Sequence, residues 1–345
     1  MDVTIRGGGV FGLAIGWTCA RRGAKVRLIE QLAIGAGASG GPVGALAPHV
    51  PEQWDAKKAF QFEALTMGAN FWAEVTAAGG LPTGYAATGR LQSLPPGGTA
   101  LALAEARGLG AVALWQGKAD WQVVGRQGDW APPGDQMIRD SLSALIAPQS
   151  ACLALAAAFR AAGGDLVVGD APDQGAVIWA TGVAGLADLS ARFGHPVGGG
   201  EKGQALLLAH DAAGQPQIQA DGLHIVPHLD GTVAVGSTSE RFYDDPKATD
   251  HRLDALHQRA VALLPQLAAA PVLARWAGVR PRAATRAPLL GPWPGRPGHF
   301  IANGGFKIGF GVAPLVAQVM ADLVLDGHDH IPPGCGTKWL VTPAR

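Results

Sequence analysis

The stretch Val3–Glu30, VTIRGGGVFGLAIGWTCARRGAKVRLIE, constrains the fold more than any other part of the chain. It opens on a short apolar run that reads as a buried strand. Gly7, Gly9 and Gly12 then follow at G-x-G-x-x-G spacing, at the turn into a helix. Each glycine does something a side chain would prevent. Gly7 permits the tight turn, Gly9 lets a pyrophosphate approach the backbone, and Gly12 lets the helix pack close against the strand; Val10 and Phe11 belong to the same cradle. Phe11, Ala14, Ile15, Thr18, Cys19 and Arg22 recur at three- and four-residue steps, and Gly23 reads as the C-terminal cap. A second strand, AKVRLIE, ends on Glu30, where an acid can accept hydrogen bonds from an adenosine ribose, with Gln31 directly after it. In a chain with 50 glycines the spacing alone arises by chance, so the flanking strands, the helix and the acid in register carry the inference of a bound dinucleotide. Arg6 is discordant, because the position before the glycines is usually apolar. It reads as a strand-end arginine reaching solvent.

At 345 residues the chain can form one large or two ordinary domains. Lys plus Arg equals Asp plus Glu at 27 each, so no net charge draws it to nucleic acid or an anionic membrane, and a small-molecule partner is expected. Cys19, Cys152 and Cys335 are far apart and form no C-x-x-C, which suggests neither a disulfide framework nor zinc. The first strand begins almost at Met1 without a signal segment, and no uninterrupted apolar run is read as long enough to span a bilayer. A soluble, cytoplasmic protein is the expectation.

Beyond Glu30, the stretch QLAIGAGASGGPVGALAPHV brings backbone amides and Ser39 into a loop suited to an anion or to a simple connection, and ends near Pro48 and His49. Residues 58–78 carry Phe60, Leu65, Phe71, Trp72 and Val75 in a helical pattern that reads as core. From 79 to 136 short strand-like pieces separated by Gly and Pro suggest part of a second domain. Strand and helix alternation returns from 151 to 182, where Ala180, Thr181 and Gly182 close a strand at a tight turn. Three β runs between 203 and 236 read as an antiparallel sheet, followed by a helix over about 250–264 and the strand VLARWAGVRP. Finally HFIANGGFKIGFG leads into a helix with Pro314 expected near its first position, presenting amides to an anion.

Taken in order, GGGVFG, the acid at Glu30, GASGGPVGAL, KGQ, VGST, WAGVRP, PLLG and GGFKIGFG resemble the D-amino acid oxidase family of FAD-dependent oxidoreductases, in its glycine oxidase and sarcosine oxidase branch. The resemblance runs nearly end to end. It implies an α/β fold in which a Rossmann-like FAD-binding domain (1–85, 137–200, 275–345) is interrupted by an antiparallel substrate domain (86–136, 201–274). It implies one non-covalent FAD held by Gly7, Gly9, Gly12, Glu30, Ala38, Ser39, Gly40 and the turn Ala180–Gly182. Gly304, Gly305, Phe306, Lys307 and Ile308 would lie along the pyrimidine edge of the flavin, where Lys307 could stabilise charge on reduction. The implied reaction is hydride transfer from the α-carbon of a small amino acid or N-substituted amino acid to flavin N5, giving an imine that hydrolyses. Oxygen or an electron-carrier protein would take the electrons. Arg280, in WAGVRP, matches the arginine that pairs the substrate carboxylate.

Several positions depart from the family pattern. His224 stands where a tyrosine is common, the acid that often follows the arginine motif is absent from RAATRAPLLG, and residues 165–176 are short where a hairpin usually covers the adenine. His49 can sit over the flavin or make an ordinary structural hydrogen bond, and Tyr243 is placed on the substrate side. His328 and His330 have metal-like spacing but read as a solvated tail. GALAP with GVRPRAATR also resembles the oxidase half of the enzyme that trims carboxymethylaminomethyl-uridine in tRNA, although neutral charge weighs against RNA. A non-catalytic dinucleotide-binding protein is the third reading.

Overall fold

Buried aliphatic side chains at Val3 and Ile5 make β1 (Asp2–Arg6) an inner strand of a six-stranded sheet. Residues 2–341 are described by the computed structural model. Next to β1 stand β2 (Lys25–Glu30) and β8 (Asp165–Val168) on one side, and β9 (Ala176–Trp179) and β16 (His299–Asn303) on the other, all parallel. The antiparallel β15 (Leu289–Pro292) closes the edge. Parallel strands need both faces covered. Here α1 (Val10–Arg21), α4 (Pro148–Ala161) and α7 (Gly309–Ala321) share one core with the sheet, and α2 (Ala56–Gly79) packs over α4 and α7. Around the opposite side, α5 (Gly182–Phe193) buries Leu186 and Leu189 against Leu289 and Ile301.

The second sheet has eight strands in the order β14–β10–β13–β12–β11–β4–β6–β5. These are β4 (Arg90–Ser93), β5 (Trp121–Gly125), β6 (Gln136–Asp140), β10 (Gly198–Ala209), β11 (Gln217–Ala220), β12 (Leu223–Pro227), β13 (Thr232–Gly236) and β14 (Val272–Ala283). All neighbours are antiparallel except β11 and β4. One face is sealed by α6 (His251–Leu263), whose Leu253, Leu256 and Ala260 meet Leu206, Leu208 and Val235. Alternation along each strand therefore turns Gly203, Ala205, His224, Gly236, Trp276 and Arg280 to the other face, towards the first sheet. The short pair β3 (Ala45–Leu46) and β7 (Ala144–Leu145) lies between the two.

Several sequence expectations need correction. Residues 98–114, read within a run of strand pieces, form α3 (Gly98–Leu114). Its apolar residues do not mark one face, since Leu109 and Val112 are exposed and only Ala104 and Ala111 are fully buried. Pro314 lies inside α7, because that helix begins at Gly309. The expected boundary at 137 cuts through β6, and the one at 275 cuts through β14; both strands pair in the eight-stranded sheet. Phe306–Asp326 is apolar and long enough to cross a bilayer by composition, contrary to the sequence reading, but most of it is buried against α1 and α2.

Arg6 does not reach for solvent. Its Nε donates to Asp173 at 2.8 Å and Nη2 to the Ala171 carbonyl at 3.2 Å, while the guanidinium stacks on Trp179 at 5.5 Å. It fastens the shortened 165–176 stretch to the end of the sheet. In the eight-stranded sheet the Arg90 Nε donates to Asp140 at 2.8 Å, with side-chain exposures of 4% and 0%. Removing one member of such a pair leaves a buried charge. Arg90→Ala should cost about 3–5 kcal/mol in urea denaturation, whereas Arg275→Ala, which breaks the exposed pair with Asp254, should cost about 1 kcal/mol or less. Equal losses would contradict this ranking.

Candidate functional site

Backbone approach at the C-terminal end of the six-stranded sheet is too close for side chains. A Cβ on Gly7, which has φ +113°, would fall 2.3 Å from the Ala180 carbonyl oxygen, and one on Gly12 would fall 1.9 Å from that of Gly7. The chain is locked there by Gly7 N–H donating to Ile29 O at 2.9 Å and Ala180 N–H to Arg6 O at 2.8 Å. Gly9 caps α1 without a side-chain bond, so the first-turn amides of Val10, Phe11 and Gly12 point outward, and only that of Val10 meets a side chain, Ser39 Oγ at 3.1 Å. This is a helix end suited to an anion. Glu30 ends β2 with its carboxylate accepting Gly8 N–H at 2.6 Å and Leu32 N–H at 2.9 Å; Gln31 follows in the turn. Ala38, Ser39 and Gly40 form a single 3₁₀ turn above Gly9.

Two further loops close on the same sheet end. Thr181 caps α5, and Ala180 and Gly182 flank it. Asn303 bridges to the second loop, donating to Gly182 O at 2.8 Å and accepting Gly304 N–H at 2.8 Å. Gly305 is pressed on the Phe11 ring, where a Cβ would come within 2.8 Å. Phe306 follows at φ +43°, and the turn Phe306–Ile308 turns directly into α7. A cavity of about 270 Å³ opens beside this turn, lined by His49, Lys57, Arg282, Arg286 and residues 304–308.

The facing side of the eight-stranded sheet is polar at this point. Arg280 lies flat over Gly203, where a Cβ would come within 2.0 Å of its Nη2. It donates to Ser237 Oγ at 2.5 Å and to Thr238 O at 3.4 Å. No carboxylate among the described residues lies within 4 Å of it. Burial draws its pKa down, while Glu201 and Glu240 act in the opposite direction. Burial would raise Glu201, but the Ser239 hydroxyl, Lys307 at 3.6 Å and Arg282 at 3.9 Å hold its carboxyl below the usual range. Lys307 also donates to Ser239 Oγ at 3.1 Å, so the loop before α7 is tied to the facing sheet. A second tie is the Trp276 ring, packed where Gly41 leaves room for it.

Both candidate histidines are neutral near pH 7. His224 is pushed down to about 4 by burial, then by Arg90, Lys307 and Arg280, and its Nδ1 has no partner. His49 is lowered by burial and by Lys57 and Lys58 against the opposing Gln61 bond. Its backbone N–H donates to Gln61 Oε1 at 2.8 Å, its Nδ1 contacts the same oxygen, and Gln61 Nε2 donates to Ala47 O at 3.0 Å. That oxygen can only accept, so Nδ1 carries the proton and Nε2 is left as an acceptor.

The structure thus brings together the glycine turn, Ser39, the 180–182 and 304–308 loops, His49, His224, Lys307 and Arg280 between the two sheets. Tyr243 is not with them, because its hydroxyl packs at Gly200 beside Val279 and Val183, on the strand face opposite Glu201. His328 and His330 are exposed with rings 6.1 Å apart, and no cluster of three potential metal ligands occurs among the described residues. Sequence reasoning missed Gln61, Asn303, Glu201, Ser237 and Lys57. Only the period-two alternation along 199–203 and 276–282 carried a signal for Glu201 and Arg282.

A glycine-lined helix end on a parallel sheet, faced by an antiparallel sheet bearing a half-buried arginine, defines a Rossmann-type flavin-binding protein with a second domain. The chain belongs to the DAO family, FAD dependent oxidoreductase, whose sequence pattern matches residues 2–323. It is 36% identical to a glycine oxidase of Pseudomonas putida over 133 residues, covering 38% of this chain and 36% of that protein. It is 27% identical to the glycine oxidase of Geobacillus kaustophilus over 94% of this chain and 92% of that one. The crystal structure of the latter superposes with a TM-score of 0.81 at 23% identity, covering 96% of each chain.

The lowered His224 pKa has a definite sign. The unfolded imidazole, near 6.5, binds a proton that the folded one refuses until about 4, so this contribution is full above 6.5 and is lost as pH falls through that window. Urea denaturation at pH 7 and pH 5 should show His224→Phe losing about 2 kcal/mol less than the parent chain. Identical losses would contradict the burial argument.

Proposed function

We propose that this oxidoreductase acts on a small amino acid or N-substituted amino acid, with Arg280 pairing the substrate carboxylate. One observation carries the reading: a half-buried guanidinium held by a hydroxyl and a carbonyl, with no carboxylate of the described residues within 4 Å, facing the flavin cradle across the inter-sheet space. Burial strengthens its attraction for an anion that can displace water from it. Two of the relatives named above are glycine oxidases, which makes glycine and its N-methyl derivative the first substrates to try.

The residues fit FAD. Gly7 and Gly12, where a Cβ would strike the Ala180 and Gly7 carbonyl oxygens, let the turn close tightly enough to aim the first-turn amides of α1, which with Ser39 would hold the pyrophosphate. Glu30 keeps carboxylate lone pairs for a ribose beyond the two amides it accepts. Gly304–Ile308 would receive the ring's pyrimidine edge, with the Lys307 ammonium offsetting negative charge there. The bound FAD supplies a two-electron acceptor for a hydride from the substrate α-carbon.

The chain's own part is orientation and proton control. Arg280 fixes the carboxylate end, and Ser237 and Thr238 fix Arg280. A substrate ammonium must lose a proton before its α-carbon can give up hydride. His49 Nε2, left as an acceptor by the Gln61 contact, is the group in the site that can take it, while the His224 ring, which refuses a proton until about 4, stays a neutral wall of the site. The same reading assigns the six-stranded sheet to the FAD domain and the eight-stranded sheet, with β6 and all of β14, to the substrate domain. Oxygen or a carrier protein serves as electron acceptor, and cytoplasmic residence accords with the reading.

Purified protein should carry FAD that bleaches anaerobically with glycine, sarcosine or another small amino acid. Flavin that no amine reduces would contradict the assignment. Arg280→Ala should raise KM about 100-fold for carboxylate-bearing amines and only about threefold for simple amines in steady-state assays. Equal effects on both classes would remove the carboxylate role.

A further inference from the structure

The inter-sheet cavity holds more positive charge than the reaction just proposed requires. Lys57, Arg282, Arg286 and Lys307 all line it, and no carboxylate does. This concentration stands in a chain whose charges balance overall. Lys307 answers the charge that arises on the reduced flavin, and Arg280 answers one substrate carboxylate. The pyrophosphate has the first turn of α1. Arg282 keeps a single distant carboxylate, Glu201 at 3.9 Å, which it shares with Lys307, and it leans on the Phe306 ring at 5.6 Å. Neither Arg286 nor Lys57 has a carboxylate within 4 Å among the described residues.

The backbone points the same way. Arg286 adopts φ +57°, a conformation that L side chains rarely adopt, in the turn just after β14. Its amide donates to Ala283 O at 3.0 Å, so the turn is held and the side chain is delivered to the cavity mouth. Non-glycine residues in such conformations cluster at ligand sites. Arg282 and Arg280 project from the same face of β14, two residues apart, so an anion on Arg280 has a second guanidinium one strand step further out. The stretch that carries Arg282 and Arg286, RAATRAPLLG, is also where an acid expected after the arginine motif is missing.

We propose that the preferred substrate is a dianionic amine: an amino acid whose nitrogen or side chain carries a second carboxylate or comparable anion, received by Arg282 and Arg286 at the mouth while Arg280 holds the α-carboxylate. This rests on the amine-oxidising reading above and narrows it. Lys57 adds field from the α2 side without needing a direct contact, because charges of one sign around a low-dielectric cleft act together on an incoming anion.

The test compares two amines of nearly equal size on the FAD-loaded enzyme, N-(carboxymethyl)glycine and N-propylglycine, by anaerobic stopped-flow reduction. The dianion should show a reduction rate over apparent Kd about 30-fold higher at low ionic strength, and the ratio should shrink as salt is raised. Arg286→Gln and Arg282→Gln should each lower that ratio about tenfold. Should a variant fold poorly, the unsubstituted enzyme still decides: glutarate should perturb the flavin spectrum at about a tenth the concentration that butyrate needs. Equal reduction of both amines, or equal binding of glutarate and butyrate, overturns this proposal and leaves amine oxidation standing. A flavin reduced by glycine or sarcosine but by neither of these amines overturns this proposal alone; one that none of the four reduces removes both readings. Retention of tRNA that falls with salt and is lost in Arg286→Gln would assign these cations to phosphates and overturn the small-substrate proposal.

Discussion

The structure depends on one steric fact, the contact of bare backbone at the end of β1. Gly12 approaches the Gly7 carbonyl so closely that a Cβ would overlap it, and Gly7 in turn lies against Ala180, just past the end of β9. That contact fixes where α1 begins, and therefore where its free amides point. The other loops are arranged around the result. Ser39 reaches the Val10 amide, Asn303 joins the 180–182 turn to Gly304, and Gly305 rests on Phe11. A cofactor-binding end of the sheet is thus assembled from four separate stretches of chain, each held by a bond to another.

Function requires the second sheet to stand at a set distance from this end. Among the contacts that span the gap are Trp276 over Gly41, and Lys307 to Ser239 and Glu201. The second is electrostatic as well as geometric. It draws Lys307 across to the substrate-facing strand, keeps Glu201 ionised, and adds positive charge beside His224. The His224 imidazole stays neutral there, while Glu201 and Glu240 favour the charge on the neighbouring Arg280 guanidinium.

The nucleotide half was legible in the sequence because its requirements are local. Glycines at 7, 9 and 12, apolar period around Ile15, and an acid at Glu30 sit within thirty residues, and the structure has that strand, helix and strand in sequence. What escaped was set by tertiary contact. Helix α3 carries no single apolar stripe and packs through glycines, since Gly108 approaches Trp121 O and Gly110 approaches Pro51 O. Arg6 found partners in Asp173 and Ala171, more than 160 residues away, which no local pattern announces. Gln61 looked like any polar residue on a helix, yet it is buried and sets the tautomer of His49. Arg280 was found through family resemblance, while its bed on Gly203 and Ser237 came only from the pairing of β10 and β14.

The central claim is that the half-buried Arg280 guanidinium, facing the flavin site, is the carboxylate anchor. Titrating the FAD-loaded enzyme with acetate, which cannot be oxidised at this site, and following the flavin absorbance measures that contact without catalysis. The account predicts a saturable spectral shift in the unsubstituted enzyme and an affinity weakened at least about tenfold in Arg280→Met. Acetate that binds both proteins equally well would contradict it.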